Sequence, residues 1–194
     1  AKHKGKPFRA IRNKENLSFS EANNNAARLG RNEWICFLNN DTILPDHGWL
    51  GMLVGTAQYK DWAATGPSSN AVLGIQQDCW NTEWPLTHEA KFLSGFCLVV
   101  RRDVFELIGG FDQHFFYGDE DLDLSIRIRK AGWRIGVNRF VHVQHINQAT
   151  LSTITESPGQ HYAETRQQLI GKWGEDTLRD LFIWPELTMP KAEW

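Results

Sequence analysis

The sequence predicts an α/β fold, because short apolar runs typical of buried strands alternate with stretches of helical periodicity. The clearest apolar run is 34–38, WICFL, which stops at the polar residues Asn39-Asn40-Asp41. A helical pattern, GWLGMLVGTAQY, begins shortly afterwards at Gly48. With 194 residues, 41% of them hydrophobic, the chain is long enough to bury the core of one such domain.

The segment before this run is predicted to add a short strand at 8–11 and then a helix at 21–29. Ser20 is a good N-cap for that helix, and Gly30 follows its last residue. The apolar face of the helix would consist of Ala22, Ala26 and Leu29.

The middle of the chain is predicted to contain two more strands and a helix. A strand at 62–66 would end in a turn at 67–70, and a strand at 92–100 would be interrupted by Ser94-Gly95. A short helix at 103–108 would follow. Between them, 70–91 lacks periodicity, which favours a functional loop. Trp80 and Trp84 in this loop either stack on a sugar ring or anchor the loop to the core.

An acidic segment, GDEDLD at 118–123, precedes a stretch in which apolar and polar residues alternate. That alternation fits a strand, but acidic residues at the start, basic residues towards the end and Gly132 after them favour a helix at 121–131. Two short strands are predicted at 133–137 and 140–144. Helical patterns at 161–173 and 176–182 predict a helical extension, 151–194, packed on a core formed by 1–150.

Charge and cysteine content narrow the class of protein. The formal net charge is −2, which gives no case for nucleic-acid binding. Three cysteines, Cys36, Cys79 and Cys97, are odd in number and widely spaced, which favours reduced thiols and a cytoplasmic protein.

No apolar run approaches the ~20 residues that span a bilayer. A basic cluster near the N-terminus leaves open a peripheral position at the inner face of the membrane, although a solvated segment is the ordinary explanation.

Three polar sites stand where strands end or a helix begins: Asp41, the Glu120-Asp121 pair and His145. A carboxylate and an imidazole can hold Mg²⁺ or Mn²⁺ and leave positions free for phosphate oxygens. A carboxylate at a helix start can act as a general base. Each residue alone is more often a turn, a cap or a structural histidine.

In this order, the sequence resembles the family 2 glycosyltransferases of the GT-A fold, and in particular their rhamnosyltransferase-like branch. The resemblance covers about 8–150. The matching segments are NLSF (16–19) with NNN (23–25), FLNNDT (37–42) with WL (49–50), SGFCLVVRRDVFELIGGFD (94–112), FFYGDEDLDLSIRIRKAGW (115–133) and VHVQH (141–145).

This resemblance implies a GT-A-like mixed sheet flanked by helices, and a role for each site residue. Asp41 would bind the metal that bridges the two phosphates of a nucleotide-sugar donor, with Asn39 and Asn40 near the nucleotide. His145 would complete the metal site, in preference to His142. Asp121 would be the general base of an inverting transfer. Ser94 and Gly95 would line the site near the donor sugar, and Glu120 and Asp123 would support the helix start or bind arginines.

The implied partners are a nucleotide-sugar donor and a saccharide or lipid-linked saccharide acceptor, as in polysaccharide biosynthesis. Family members have further nucleotide-binding strands upstream of the segment that matches Phe8, so we expect a longer enzyme, a second polypeptide that supplies those strands, or lost activity. An exposed sheet edge would then favour association with a partner or with a second copy. A silent carbohydrate- or protein-binding module and a metal-dependent hydrolase are the alternative functions.

Overall fold

The computed structural model describes residues 9–78, 85–116, 118–146 and 158–182, which form an α/β structure. The strands are β1 (Trp34–Leu38), β2 (Thr42–Ile43), β3 (Trp62–Ser68), β4 (Thr87–Ala90), β5 (Cys97–Arg101), β6 (Arg134–His142) and β7 (Gln144–His145). The α-helices are α1 (Phe19–Ala27), α2 (Trp49–Lys60), α3 (Arg102–Leu107), α4 (Glu120–Lys130), α5 (Pro158–Trp173) and α6 (Glu175–Phe182), and a 3₁₀ turn spans Gly74–Gln76.

The main sheet is mixed, with strand order β1-β5-β3-β6-β4. Only the β3–β6 pair is parallel, whereas β1–β5, β3–β5 and β4–β6 are antiparallel. The strand that leads to Asp41, β1, therefore lies at one edge of this sheet. Strands β2 and β7 form a separate antiparallel ladder, which joins the end of β1 to the end of β6.

Helices cover both faces of the sheet, because successive residues of each strand point to opposite faces. On β1, Ile35 and Phe37 pack into the cluster that includes residues of α1, α3 and α4. Trp34 and Cys36 point the other way, towards the cluster that contains Leu53 of α2. The site residues at the strand ends are thus attached to a sheet that is packed on both sides.

The C-terminal helices α5 and α6 pack on α4, through a third cluster that contains Leu122, Ile126, Leu169 and Leu178. Polar contacts reinforce this packing at Asp123, whose side chain is fully buried. Its carboxylate accepts hydrogen bonds from Arg127 Nε at 2.7 Å and Trp173 Nε1 at 2.8 Å, and Lys172 Nζ lies 2.7 Å away.

Replacing Asp123 by alanine is expected to lower the free energy of unfolding by about 3–5 kcal/mol, because the partly buried Arg127 and Lys172 lose a buried counter-charge and Trp173 Nε1 loses its acceptor. Asp176→Ala is the matched control. Asp176 also pairs with an arginine, Arg179, but its side chain is 96% exposed. The loss there should stay below about 1 kcal/mol. Urea unfolding of both variants measures the difference, and equal losses would contradict the buried role of Asp123.

Two predictions for the N-terminal segment are wrong. Residues 9–11 belong to no strand. The first helix begins two residues earlier than predicted, since Ser18, not Ser20, caps it by accepting from Glu21 N. Its buried face consists of Ser20, Asn24 and Ala27. Asn24 is buried because its amide bonds both backbone groups of Phe111, at 2.8 and 2.9 Å.

Strand boundaries in the middle and late parts of the chain also differ from those predicted. Residues 67 and 68 continue β3, and 87–90, predicted to be irregular, form β4. Residues 92–96 precede β5, so Ser94-Gly95 belongs to a turn instead of interrupting a strand. The two strands predicted at 133–137 and 140–144 are one strand, β6, followed by the short β7.

The predicted helices α2, α3, α4, α5 and α6 are confirmed within two or three residues. In α4 the helix dipole outweighs the alternating pattern, with acidic residues in the first turn and basic residues in the last. Cys36 and Cys97 are free thiols, and Cys79 lies outside the described residues. None of the helices described here is long and apolar enough to cross a membrane.

Candidate active site

The β2–β7 ladder brings Asp41 and His145 together, although 103 residues of chain separate them. Thr42 is the partner of His145 in the ladder, and Ile146 N donates to the Asp41 carbonyl at 2.9 Å. In consequence His145 Nε2 lies 3.3 Å from Asp41 Oδ1, and the two side chains are only 12% and 11% exposed. The structure thus pairs the two residues that the sequence assigned to the metal.

The hydrogen bonding of the His145 ring makes this pair a candidate cation site. His145 Nδ1 lies 3.0 Å from the carbonyl oxygen of Ala71, which can only accept, so Nδ1 carries the proton. In a neutral ring Nε2 then turns a lone pair towards Asp41 Oδ1. No donor among the described residues satisfies that buried oxygen. Metal-binding histidines typically donate their second ring N–H to a backbone carbonyl in this way.

The separation of the two atoms also fits a divalent ion. Ligands at ~2.1 Å in cis positions of an octahedral ion lie roughly 3 Å apart, close to the observed 3.3 Å. A proton on Nε2 would be the other way to satisfy the contact. The described residues contain no group of three or more side chains that could hold a metal. A cation here would therefore need ligand atoms from a bound substrate or water as well.

Two residues that the sequence did not single out fix the position of His145. Asn70 accepts from His145 N at 2.8 Å and donates to His145 O at 3.1 Å. The ring of Phe96 stacks on the imidazole, with centroids 5.2 Å apart and planes at 28°. Asn70 was predicted only as a turn residue. Its position 75 residues from His145 leaves no local signal of this contact.

Asp121 lies in the first turn of α4 and is held by two backbone amides. Gly95 N donates to Oδ2 and Leu122 N to Oδ1, both at 2.8 Å. Burial raises the pKa of Asp121 despite these two hydrogen bonds, which favour the charged form. A carboxylate with a raised pKa is a stronger base, and each oxygen keeps a free lone pair for an incoming proton.

Glu120 precedes Asp121 and has one buried oxygen, Oε2, without a hydrogen-bond partner in the described part of the chain. Burial, followed by the charge of Asp121, raises the pKa of Glu120 to about 8. The folded protein therefore binds a proton at Glu120 more tightly than the unfolded chain does. The stabilisation from that proton is fully present below the ordinary pKa of 4.5 and is lost as pH rises towards 8.

We expect Glu120→Gln to flatten the pH dependence of stability. In the wild type the free energy of unfolding should fall between pH 5 and 8, by at most about 1.4 kcal/mol per pH unit for one proton. Urea unfolding at four pH values measures the slope. Glu106→Gln, at a glutamate on α3 whose side chain is 62% exposed, is the matched control and should keep the wild-type slope. Parallel slopes in all three proteins would refute the assignment to Glu120.

One turn connects the two halves of the candidate site. Gly95 N binds Asp121, and the next residue, Phe96, binds Asn39 N through its carbonyl at 2.9 Å and stacks on His145. Ser94 N donates to Gln76 Oε1 at 2.6 Å. The segment predicted to lie near the donor sugar is therefore the one that links the candidate base to the candidate metal pair.

The other predicted site residues fall into three groups. Asn39 is half-buried and Asn40 exposed at the end of β1. His142 contacts Asp78 Oδ2 at 2.7 Å, whereas His145 is the histidine that contacts Asp41. Trp80 and Trp84 lie outside the described residues, so their stacking role stays a prediction.

The ion pair of Asp119 was not predicted from the sequence. Its carboxylate receives both a 2.8 Å bond from Arg166 Nε and a 2.8 Å bond from Arg166 Nη2. Asp123 is neutralised by Arg127 of α4 and Lys172 of α5. Of the four carboxylates in the acidic segment, two are thus neutralised by cations, whereas Glu120 and Asp121 have no ion-pair partner in the described residues. This explains how the sequence tolerates four carboxylates within five residues.

A family comparison identifies the class of protein. The model of the glycosyl transferase family 2 matches residues 1–109, more than half of the chain. The chain belongs to glycosyl transferase family 2. This confirms the family and the class of protein, a glycosyltransferase, that the sequence predicted.

Two of the relatives by sequence have names that state a biosynthetic role or an enzyme activity. The O-antigen biosynthesis protein RfbC of Myxococcus xanthus is 29% identical over 145 residues, which are 61% of this chain and 11% of the relative. An N-acetylglucosaminyl-diphospho-decaprenol L-rhamnosyltransferase of Mycobacterium tuberculosis is 42% identical over 72 residues, 33% of this chain and 24% of the relative. The matches confirm the likeness to rhamnosyltransferases, and they span a minor part of these longer relatives.

Solved structures confirm the GT-A-like fold. GalNAc-T7, crystallised with UDP, GalNAc and Mn²⁺, matches with a TM-score of 0.65 at 14% identity, over 89% of this chain and 38% of that one. The mannosyltransferase PcManGT of Pyrobaculum calidifontis, in complex with GDP-Man and Mn²⁺, matches with a TM-score of 0.56, also at 14% identity, over 81% and 46%.

Proposed function

We propose that this chain carries the metal-binding and general-base residues of an inverting glycosyltransferase that uses a nucleoside diphosphate sugar and a divalent cation. The observation that carries the proposal is the pair formed by His145 Nε2 and Asp41 Oδ1, two atoms able to bind a metal that lie 3.3 Å apart. Both structural neighbours contain Mn²⁺ and a nucleotide or nucleotide-sugar, which supports a donor of that class.

In this proposal Asp41 and His145 hold the cation, Mg²⁺ or Mn²⁺. A bound cation supplies stabilisation of the negative charge that develops on the departing nucleoside diphosphate. Asn70 and Phe96 keep His145 in its orientation, and the contact of Nδ1 with Ala71 O leaves Nε2 as the ring nitrogen that faces Asp41. These contacts preorganise the pair before substrate binds.

Asp121 is the proposed general base. Its carboxylate takes the proton of an acceptor hydroxyl while that oxygen forms a bond to the anomeric carbon. The bond from the anomeric carbon to the diphosphate oxygen breaks on the opposite face, and the leaving diphosphate keeps the electron pair. The configuration at the anomeric carbon is thereby inverted. Gly95 N and Leu122 N orient the base by binding one oxygen each.

The proposed acceptor is a saccharide hydroxyl, either free or on a lipid carrier. The Mycobacterium tuberculosis relative is named for a substrate that carries a sugar on decaprenyl diphosphate, which supports the lipid-linked form. The chain spans only 24% of that relative. The cytoplasmic position, with contact to the inner face of the membrane, belongs to the same proposal.

Calorimetry with nucleoside diphosphate sugars tests this function. The panel consists of nucleoside diphosphate sugars and includes UDP- and GDP-linked ones. We expect at least one of them to bind when Mn²⁺ is present and to lose binding when EDTA is added. Transfer to saccharide acceptors should then give a product of opposite anomeric configuration by NMR. Absence of any nucleotide binding, with or without upstream sequence from the natural gene, would overturn the proposal in favour of a silent binding module. Phosphate-ester turnover without acceptor would favour a hydrolase.

A further inference from the structure

Asp119, the carboxylate just before Glu120 and the proposed base Asp121, forms an ion pair with the C-terminal helices. Asp119 is buried, and its two oxygens receive the Nε and Nη2 hydrogen bonds of Arg166 on α5, each 2.8 Å long. Such a fork is the geometry in which an arginine fixes a carboxylate in both position and orientation. The Arg166 guanidinium is further covered by the ring of Phe182 on α6, 5.7 Å from its centre.

The backbone at Asp119 decides where α4 begins. Asp119 adopts a left-handed conformation, φ 62°, directly after Gly118 at φ 91°. Its carbonyl accepts the first hydrogen bond of α4, from Asp123 N at 3.0 Å. Its side chain makes no capping bond to the helix and is used for Arg166 instead. The direction in which Glu120 and Asp121 leave this turn therefore depends on how Asp119 is held.

We propose that Arg166 is a positioning residue for Asp121, acting through the buried Asp119 carboxylate and the left-handed turn at the start of α4. The inference rests on the proposed role of Asp121 as general base. It gives the C-terminal helices a part in the reaction in addition to packing. Arg166 touches neither Asp121 nor the metal pair in the contacts described above, so its effect is indirect.

The charges around Asp121 indicate that the Asp119–Arg166 ion pair also affects the pKa of Asp121. Burial raises the pKa of Glu120 and of Asp121, and the negative charge of Asp119 adds to the rise in both. Arg166 compensates that charge from α5. The other nearby charge, Asp123, is neutralised by Arg127 and Lys172. Removing Arg166 should therefore raise the pKa of Asp121 further, whereas removing the charge of Asp119 should lower it.

The test compares Arg166→Gln, Arg166→Lys and Asp119→Asn in the full-length protein. Arg166→Gln should lower kcat roughly tenfold to a hundredfold, since small displacements of a catalytic group cost that much. The KM for the donor should stay within about threefold of the wild-type value, because the metal pair is untouched. Arg166→Lys should recover only part of kcat, because lysine keeps the charge but not the fork.

The pH profile separates positioning from simple loss of structure. The acidic limb of kcat should move to higher pH in Arg166→Gln and to lower pH in Asp119→Asn, since asparagine keeps the left-handed turn but loses the charge. Arg179→Gln is the matched control. Arg179 is an exposed arginine on α6 that pairs with Asp176, and its replacement should leave kcat and the profile unchanged.

Amide NMR signals make the inference independent of turnover. Gly95 N–H and Leu122 N–H report directly on the Asp121 carboxylate, and we expect both signals to shift in Arg166→Gln but not in Arg179→Gln. Two outcomes would overturn the inference. In the first, both amide signals and kcat stay unchanged in Arg166→Gln. In the second, kcat and KM change equally, and the acidic limbs of the kcat profiles of Arg166→Gln and Asp119→Asn do not move in opposite directions. If the wild type transfers no sugar, the proposed function fails, and the two amide signals still decide whether Arg166 positions Asp121.

Discussion

Replacing Asp41 by asparagine should strongly reduce metal-dependent donor binding. Asparagine keeps the size of the side chain and the backbone bond to Ile146 N but loses the charge that a divalent cation requires. Loss of a residue that merely orients a metal ligand costs about 10–100-fold in affinity or activity. Loss of a charged ligand from a two-residue site should cost at least ~100-fold.

Calorimetric titration with Mn²⁺ and a nucleoside diphosphate measures this effect. His145→Gln should behave in the same way, because it removes the only other described ligand of the pair. Asp61→Asn is the matched control. Asp61 is an 80% exposed aspartate in a left-handed turn that asparagine also tolerates. Wild-type Mn²⁺ affinity in Asp41→Asn would place the metal elsewhere and would make the 3.3 Å contact an ordinary imidazolium–carboxylate pair.

Local sequence signals predicted the strand and the helix that carry the carboxylates of the candidate site. The apolar run 34–38 gave β1, and its abrupt polar end placed Asp41 at the strand terminus. The acidic start and basic end of α4 placed Glu120 and Asp121 in a first helical turn. These signals are local because strand periodicity and the helix dipole involve neighbours within a few residues.

Other parts of the fold depend on contacts between distant residues, which no local pattern encodes. Strand β4, with the sequence THEA, has little intrinsic strand character and forms because it pairs with β6. The buried face of α1 contains Asn24 because Phe111, 87 residues away, presents both backbone groups to it. The wrong helix face and the missed strand have this common physical reason.

The candidate site likewise contains residues predicted from local motifs and residues whose role depends on contacts between distant parts of the chain. Asp41, Asp121 and His145 were expected because they belong to motifs with a family resemblance. The residues that hold them were missed, since Asn70, Phe96 and Arg166 act across the fold through amide, ring and guanidinium contacts. The sequence thus names candidate chemistry-bearing residues, whereas the contacts that orient them are visible only in the three-dimensional structure.

Asp121→Asn should lower kcat by about 10²–10⁴-fold while donor and metal binding change little. Removal of a general base has this magnitude, because the acceptor hydroxyl then has no strong proton acceptor in reach. The wild-type kcat should fall as pH decreases through the pKa of Asp121, which burial raises, because only the carboxylate can take the proton. The variant should lose this acidic limb. Steady-state kinetics across pH and calorimetry with Mn²⁺ and donor measure both effects.

The structural cost of this substitution has to be separated from the chemical one. Gly95 N and Leu122 N both donate to Asp121, and an asparagine oxygen can satisfy only one of them, so some stability is lost, about 1–3 kcal/mol. Asp103→Asn is the matched control, since Asp103 is the second residue of α3, as Asp121 is of α4, and accepts from Val104 N at 2.8 Å, as Asp121 does from Leu122 N. It should keep wild-type kcat. If Asp121→Asn is folded and also keeps its kcat, the base is another group, and Glu120→Gln then decides whether that group is Glu120.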